Sequence, residues 1–154
     1  MADRYHARIM FPAALIDEEI KAALEGEGVE FNDQGLLERP DEVWIEDGIF
    51  HLDEHQAAWG MFSDLEDLLQ GKGIPFDRES EAYYDSSPEK VVARPSTDNK
   101  PAMRFWAVFF EGSPMVKVQE IKDLLPQGIE ALQAYLDQNF PEYPPLADYV
   151  RQEG

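Results

Sequence analysis

The stretch VWIEDGIFHL, residues 43–52, contains the clearest short-range structural signal in the chain. Two runs of β-prone residues flank Asp47 and Gly48, and an Asp-Gly pair tolerates the positive φ angles of a type I′ turn. The sequence therefore predicts a hairpin with strands at Val43–Glu46 and 49–52. Because a two-residue turn joins antiparallel strands, at least part of the sheet should be antiparallel.

The residues before this hairpin predict a strand followed by a helix. Apolar side chains alternate over residues 5–11, which is the period-two pattern of a half-buried strand. An apolar stripe at helical spacing then covers residues 16–24 and ends at Gly26, and glycine is common just after helix C-termini. The pattern predicts a first helix over residues 13–25.

After the hairpin, the sequence predicts a second helix and then three strands. Asp53 followed by Gln56 is a capping arrangement, so this helix should begin at about Glu54 and stop at Gly71. Strands are predicted within IPFDRESEAYY (74–84), KVVAR (90–94) and MRFWAVFF (103–110). The last run is apolar at nearly every position, which is typical of a central strand covered on both faces.

The C-terminal part predicts two helical stretches, 115–125 and 127–139, interrupted at Pro126 because proline removes a helix hydrogen bond. The final run FPEYPPLADYV, residues 140–150, contains three prolines. It is expected to lie extended across the surface.

Short matches within the chain suggest internal repetition. LEGEGVEFND (24–33) and LQGKGIPFDR (69–78) share L-x-G-x-G-[VI]-x-F, and RYHARIMF (4–11) is similar to RFWAVFF (104–110). These matches favour three strand-then-helix units. Helices that alternate with strands and a hairpin predict one α+β domain over 1–154. The expected architecture is a two-layer sandwich of ferredoxin-like character, with a mixed or antiparallel sheet.

Charge is very uneven along the chain. The net charge is −19. Residues 17–89 hold 22 acidic but only four basic side chains, whereas residues 90–154 hold nine acidic and seven basic side chains. Such a field repels nucleic-acid phosphates and anionic membranes, so we expect no direct binding to either. The sequence has neither a long apolar run nor a signal-peptide pattern, which predicts a cytoplasmic location.

The acidic middle of the chain offers a candidate surface for a basic partner. Asp77, Glu79 and Glu81 alternate along a predicted strand, which spaces three carboxylates about 6.6 Å apart on one face. This row resembles spaced phosphates, although a solvated face that only maintains solubility is the competing interpretation. Four tyrosines lie in less regular segments and are interface candidates: Tyr83, Tyr84, Tyr143 and Tyr149. The expected partner-binding residues are Asp41, Glu42, Glu46, Asp47, Asp64, Glu66, Asp67, Asp77, Glu79, Glu81, Tyr83 and Tyr84.

Residues 51–55, HLDEH, fit the H-x-x-E-H pattern of inverted-motif zinc peptidases. On one helix, this pattern would make His51 and His55 zinc ligands and Glu54 the base that acts on bound water. The hairpin signal opposes this interpretation because it assigns His51 to a strand. The chain has no cysteine, so thiolate ligands are excluded. We therefore expect no cofactor and no metal, with a zinc-dependent hydrolase as an alternative hypothesis.

These patterns together predict a non-enzymatic, inhibitor-like interaction protein. Its acidic surface would bind a basic partner, such as a nucleic-acid-binding protein or a nucleoprotein complex, by DNA mimicry. Phage- or plasmid-type inhibitors that mimic DNA would fit this physical basis, by analogy of class and not by a sequence match. An immunity- or antitoxin-like neutraliser of a basic toxin is the second hypothesis, and it differs only in the target.

Overall fold

One antiparallel sheet lies at the centre of the α+β fold. The computed structural model describes residues 4–27, 29, 43–58, 62–81, 88–96, 101–110 and 113–150. The strands are β1 (Arg4–Pro12), β2 (Val43–Glu46), β3 (Ile49–Ala58), β4 (Phe76–Ser80), β5 (Glu89–Arg94), β6 (Met103–Phe110) and β7 (Ser113–Met115). The helices are α1 (Glu18–Gly26), α2 (Ser63–Gly71), α3 (Val118–Leu124), α4 (Ile129–Asn139) and α5 (Leu146–Val150).

The strand order explains where the core lies. Within the described ranges the order is β2-β3-β1-β4-β5-β6-β7, and every neighbouring pair is antiparallel. Helix α1 connects β1 to β2 across β3, and α2 connects β3 to β4 across β1. Both helices pack on one side of the sheet, which we call the helix-covered face; the other side is the open face. Fully buried side chains that form the core between them include Phe11, Ile20, Leu24, Phe50, Leu65, Leu69 and Phe76.

The predicted hairpin is confirmed. Asp47 and Gly48 have φ angles of 52° and 80°, and Val43 pairs with Leu52 across the two strands. A β-carbon on Gly48 would lie only 2.5 Å from Cγ1 of Val150. Glycine is thus required at this turn both by the positive φ and by the close approach of α5.

Helices α1 and α2 end in the same way, at the two copies of the L-x-G-x-G sequence. The amide of Val29 donates to the carbonyl of Leu24 at 3.0 Å, and the amide of Ile74 donates to that of Leu69 at 2.9 Å. Gly73 has a φ of 71°. These bonds satisfy carbonyls that the helix ends leave unpaired, so the repeated sequence marks helix C-caps.

Helix α1 begins later than the apolar stripe predicts. A 3₁₀ turn occupies Ala13–Leu15, and α1 starts only at Glu18. Oδ1 of Asp17 accepts a hydrogen bond from the amide of Ile20 at 2.9 Å. The predicted start at residue 13 is therefore wrong, because the N-cap that satisfies the first helical amides is Asp17.

Strand β3 departs most from the sequence prediction. The capping pattern predicts a helix from Glu54, but β3 continues to Ala58 and α2 begins at Ser63. The predicted helix start at about Glu54 is wrong because β3 pairs with β1 from the Pro12–Ile49 pair to the Arg4–Ala58 pair, with a register shift between Tyr5 and Ala7. Backbone hydrogen bonds to a neighbouring strand outweigh a local capping signal.

Strand β6 is not the central, doubly covered strand that its apolar run predicts. Among the described residues, only the three-residue strand β7 lies outside it, and Val108 is 43% exposed. Strands β1 and β4 occupy inner positions of the sheet instead. An apolar strand is buried only when other elements of the fold cover its faces, and the faces of β6 are covered incompletely.

The C-terminal segment, residues 140–150, packs on part of the open face. It ends in α5, where Leu146 and Tyr149 are buried, so the prediction of an extended surface run is wrong for these residues. Arg94 of β5 is 4% exposed, and its guanidinium carbon lies 5.0 Å and 5.9 Å from the rings of Tyr143 and Tyr149. These cation–π contacts attach the segment to the sheet.

Helices α3 and α4 are attached loosely. They flank a 3₁₀ turn at Leu125–Gln127, close to the predicted break at Pro126, and neither contains a buried residue. Val118 and Ile129 are 68% and 82% exposed. The helices of the described ranges are too short or too polar to cross a bilayer.

Candidate acidic interaction surface

Helices α1 and α2 lie side by side in opposite directions, and their outward sides are acidic. Lys72, which follows α2, contacts Asp17, which precedes α1. Acidic residues in the first turn of each helix are stabilised by the positive end of the helix dipole. Together with the half-buried Glu27, the exposed carboxylates form what we call the acidic helix surface: Glu18, Glu19, Glu25, Asp64 and Asp67.

At one end of this surface a lysine compensates part of the negative charge. Nζ of Lys72 lies 2.8 Å from Oδ2 of Asp17 and 3.0 Å from Oε1 of Glu19. The hydrogen bond from Lys72, with that from the amide of Ile20, lowers the pKa of the Asp17 carboxyl. The same hydrogen bonds raise the pKa of Lys72. Part of the negative charge at this end is therefore compensated by Lys72.

At the other end the charge is not balanced. Glu27 is half-buried where α1 ends, close to the start of α2. Burial raises its pKa, and the like charges of Asp64, Glu54 and Glu66 raise it further. Among the residues that the structure describes, Glu27 has no cationic partner. A carboxylate in this position is held at a free-energy cost that a bound cation would relieve.

The structure disperses the acidic residues predicted from sequence. Asp41, Glu42, Tyr83 and Tyr84 lie outside the described residues. Two of the exposed ones are at the hairpin turn, two on α2, and two at the end of β4: Glu46, Asp47, Asp64, Asp67, Glu79 and Glu81. They do not form one row, because the hairpin, α2 and β4 occupy different parts of the fold.

The predicted carboxylate row on β4 is interrupted at Asp77. This residue is only 9% exposed, and its Oδ1 accepts a hydrogen bond from Nη1 of Arg94 at 2.8 Å. Glu79 remains exposed, with Nζ of Lys90 3.8 Å away. Asp77 therefore has a structural partner and is not presented to solvent as the alternating pattern predicts.

Glu66 is also unavailable to a partner. It is fully buried, and Oε2 accepts a hydrogen bond from the amide of Phe62 at 2.7 Å. Oε1 accepts from Nε of Arg78 at 3.3 Å and from Nη2 of Arg104 at 3.1 Å. This carboxylate holds the start of α2 to two strands, which is a structural role.

Sequence reasoning omitted the α1 half of the acidic helix surface. Glu18, Glu19, Glu25 and Glu27 all lie in the acidic range 17–89 and within or next to the predicted first helix. Their juxtaposition with α2 depends on the packing of two helices that are far apart in sequence. The sequence signal that could have identified them is their position on the predicted first helix, on the side opposite to its apolar stripe.

The open face carries a polar cluster across β1, β3 and the end of β4. His6 hydrogen bonds to Asp53 through Nε2, and its Nδ1 lies 2.8 Å from Oε1 of Glu81. Burial by itself lowers the pKa of His6, but the hydrogen bonds to these carboxylates outweigh it and raise the pKa. Nη2 of Arg8 donates to Oδ2 of Asp53 at 3.3 Å. The cluster neutralises its own charges.

Trp44 and His51 stack on the same face. Their ring centroids are 4.8 Å apart with an interplanar angle of 4°, and the guanidinium carbon of Arg8 lies 5.4 Å from the Trp44 ring. Burial and the charge of Arg8 lower the pKa of His51. His51 is therefore held neutral beside an aromatic ring, which is the opposite of the environment of His6.

The H-x-x-E-H stretch lies on β3 and not on a helix. Four residues along a strand separate His51 from His55 by about 13 Å, whereas one helical turn would bring them within about 6 Å. Glu54 pairs with Ala7 of the core, on the face opposite to His51. In the described ranges, no three His, Cys, Asp or Glu side chains converge on a metal position. The helical geometry behind the hydrolase hypothesis is not present.

Comparisons of the chain with protein-family models, with curated proteins and with solved structures found no match.

Proposed function

We propose that this chain is a non-enzymatic, acidic interaction protein that binds a basic partner through the acidic helix surface. The observation that carries the proposal is Glu27, whose pKa is raised by burial and by Asp64, Glu54 and Glu66. Like charges concentrated without compensation destabilise the free protein. A Lys- or Arg-rich partner would remove that repulsion on binding and would also be steered by the field of the net −19 charge.

The class of partner follows from the sign and density of the charge. A nucleic-acid-binding protein or nucleoprotein complex already has a groove complementary to regularly spaced negative charge. Occupation of that groove by the acidic helix surface would be DNA mimicry, and the chain would act as an inhibitor. A basic toxin neutralised by an immunity- or antitoxin-like protein would use the same contacts. We expect this binding to take place in the cytoplasm.

The architecture that presents this surface is best described as a ferredoxin-like unit. Its order of elements is β1–α1–β2–β3–α2–β4, with the strands arranged β2-β3-β1-β4. The matching ends of α1 and α2 support an internal repeat of two strand–helix units. The proposed third unit, which begins at β6, rests on the sequence matches alone.

Two variants with equal net charge test the surface. Glu18→Gln/Glu25→Gln/Asp64→Asn/Asp67→Asn neutralises exposed residues of α1 and α2. The control, Glu120→Gln/Asp123→Asn/Glu130→Gln/Asp137→Asn, neutralises exposed residues of α3 and α4. Calorimetric titration with an Arg- and Lys-rich peptide should give an affinity about tenfold weaker for the first variant only. Equal losses in both variants would show that the acidity acts only through net charge.

Affinity capture from the native host, followed by mass spectrometry, would identify the partner. Binding should weaken steeply between low and physiological salt, because contacts between exposed charges are screened. Retention of a nucleic-acid-binding protein supports the mimicry hypothesis, and retention of a small basic toxin supports the antitoxin hypothesis. If the variant with neutralised α1 and α2 residues retained the partner as well as the parent does, and high salt did not weaken that binding, both hypotheses would be contradicted.

A further inference from the structure

His6 lies where the regular pairing of β1 with both neighbouring strands is interrupted. The register between β1 and β3 shifts between Tyr5 and Ala7, so His6 faces an irregularity in the ladder. On the other side of β1, the registered pairs with β4 end at Ala7–Ser80. Beyond that pair, the amide of Glu81 donates to the carbonyl of His6 at 3.0 Å. Side-chain contacts of His6 therefore hold the strands together at a point where the backbone ladder is locally weak.

Both nitrogens of the His6 imidazole face carboxylates. Nε2 hydrogen bonds to Asp53 of β3, and Nδ1 lies 2.8 Å from Oε1 of Glu81, directly after β4. A neutral imidazole has one donor nitrogen and one acceptor nitrogen, whereas an imidazolium has two donors. Because ionised carboxylates only accept, the imidazolium alone satisfies both contacts. The geometry thus specifies a positively charged histidine that links β1 to both of its neighbours.

The other charged groups on the open face affect His6 less than these two carboxylates do. Arg8 of β1 donates to Oδ2 of Asp53 at 3.3 Å, and its positive charge opposes protonation of His6. On β4 and β5, Glu79 and Lys90 lie 3.8 Å apart and compensate each other. Helix α5 lies beside the hairpin turn, at the ends of β1 and β3 away from His6. Burial lowers the pKa of His6, but the two carboxylates outweigh burial and raise it.

We propose that His6 is a proton-controlled clasp, which holds the end of β4 to β1 while it is protonated and releases Glu81 when its proton passes to solvent. Asp53 is 16% exposed and also accepts from Arg8, so the neutral imidazole keeps its remaining N–H on this more buried carboxylate. The lone pair of Nδ1 then faces the Glu81 carboxylate and repels it. Because Glu81 is 68% exposed, water can replace the lost hydrogen bond.

Deprotonation also changes the charge that this part of the open face presents. With Arg8, the protonated cluster holds two positive and two negative side chains, so loss of one proton leaves a net charge of −1. The stabilisation from the clasp is fully present below the unfolded histidine pKa of about 6.5, and it is lost as the pH rises through the higher pKa of folded His6.

The first test is a titration of the histidine side chains by NMR between about pH 5 and pH 10. His6 should titrate above the ordinary value of about 6.5, with both ring nitrogens protonated below its midpoint. His51 is an internal reference that should titrate below that value, because burial and the charge of Arg8 lower its pKa. Titration of His6 at or below the ordinary value would overturn the proposal.

Matched variants of two exposed carboxylates test the contact itself. Glu81→Gln removes the charge beside Nδ1 and should lower the pKa of His6. Glu79→Gln is the control, since Glu79 is also exposed but faces Lys90, and it should leave the titration of His6 close to that of the parent. Equal changes in the two variants, or no change in Glu81→Gln, would contradict the clasp.

Hydrogen exchange of the Glu81 amide reports release of the strand end. Its protection, taken relative to that of the Ile74 amide at the same pH, should be constant below the His6 midpoint and fall about threefold above it. His6→Gln has no proton to lose in this range, so the ratio should not change with pH. A constant ratio in the parent, or a fall that persists in His6→Gln, would overturn the proposal.

Discussion

The helix pairs α1–α2 and α3–α4 have similar apolar patterns but differ in how far their apolar side chains are buried. Helices α1 and α2 contribute Ile20, Leu24, Leu65 and Leu69 to the core, all fully buried. Helices α3 and α4 also contain regularly spaced apolar residues, yet none of these is buried. The difference lies in what each pair packs against, because α1 and α2 face the inner strands and their phenylalanines. Whether an apolar side chain of a helix is buried therefore depends on the layer that the helix packs against, and not on the helix sequence alone.

The largest expected effect comes from the buried carboxylate of α2. Glu66→Gln removes the charge that two guanidiniums share, and Arg78 is only 4% exposed. Breaking a buried ion pair by removal of one partner costs about 3–5 kcal/mol, so the free energy of unfolding should fall by about that amount in urea denaturation. Glu120→Gln on α3 is the matched control, with an expected change within about 0.5 kcal/mol. Similar losses in the two variants would remove the distinction between the helix pairs.

Truncation of apolar side chains sharpens the same comparison. Leu69→Ala on α2 should lower the free energy of unfolding by about 2–5 kcal/mol, because it leaves a cavity in the core. Ile129→Ala on α4 removes a side chain that is 82% exposed, and its effect should be within about 0.5 kcal/mol. A large loss for Ile129→Ala would mean that α4 is covered in solution.

Amide hydrogen exchange should separate the two helix pairs without any substitution. Amides of α1 and α2 lie over the core and should exchange only with global unfolding. Amides of α3 and α4 should exchange through local opening, with smaller protection factors. Uniform protection across all four helices would contradict the loose attachment of α3 and α4.

The smallest expected effect concerns Glu27. Its pKa in the folded protein is raised above the ordinary value of a glutamate, so the folded state favours the protonated form. The favourable contribution is fully present below the unfolded pKa of about 4.3 and is lost as the pH rises through the folded pKa. Glu27→Gln should therefore be more stable than the parent at pH 7 and equal to it near pH 3.

The control for Glu27→Gln is Glu130→Gln, an exposed change on α4. Its denaturation midpoint should remain close to that of the parent at both pH values. If Glu27→Gln is not stabilising at pH 7, the acidic helix surface is compensated in solution, and the main support for the proposed function is lost.

Local rules predicted the parts of the fold that depend on a few neighbouring residues. The Asp47–Gly48 turn follows from backbone sterics, and the helix ends near Gly71 follow from glycine capping. The same rules were wrong at Asp53, where a capping pattern is present but the residue pairs with Arg8 in β1. A strand that is far away in sequence provided the hydrogen bonds that decided the conformation of residues 53–58.

The candidate site was predictable in composition but not in geometry. The acidic range 17–89 is evident from the residues, and two of the predicted partner-binding residues, Asp64 and Asp67, are exposed. The burial of Glu66 and Asp77 was not predictable, because their partners Arg78, Arg104 and Arg94 lie on strands whose register depends on the whole sheet. Alternation along a strand shows which residues share a face, but it does not show which face is covered by the rest of the protein.

By itself the sequence determined the hairpin, the α+β class, the glycine caps and the strongly acidic character, since turn sterics, periodicity and charge depend on adjacent residues. The tertiary structure alone decided which carboxylates are buried with arginines and which remain exposed. It also decided that His51 and His55 lie on a strand, and that the end of α1 meets the start of α2 at Glu27. These outcomes depend on pairing between distant segments, where the free energy of many backbone and packing contacts exceeds any single local preference.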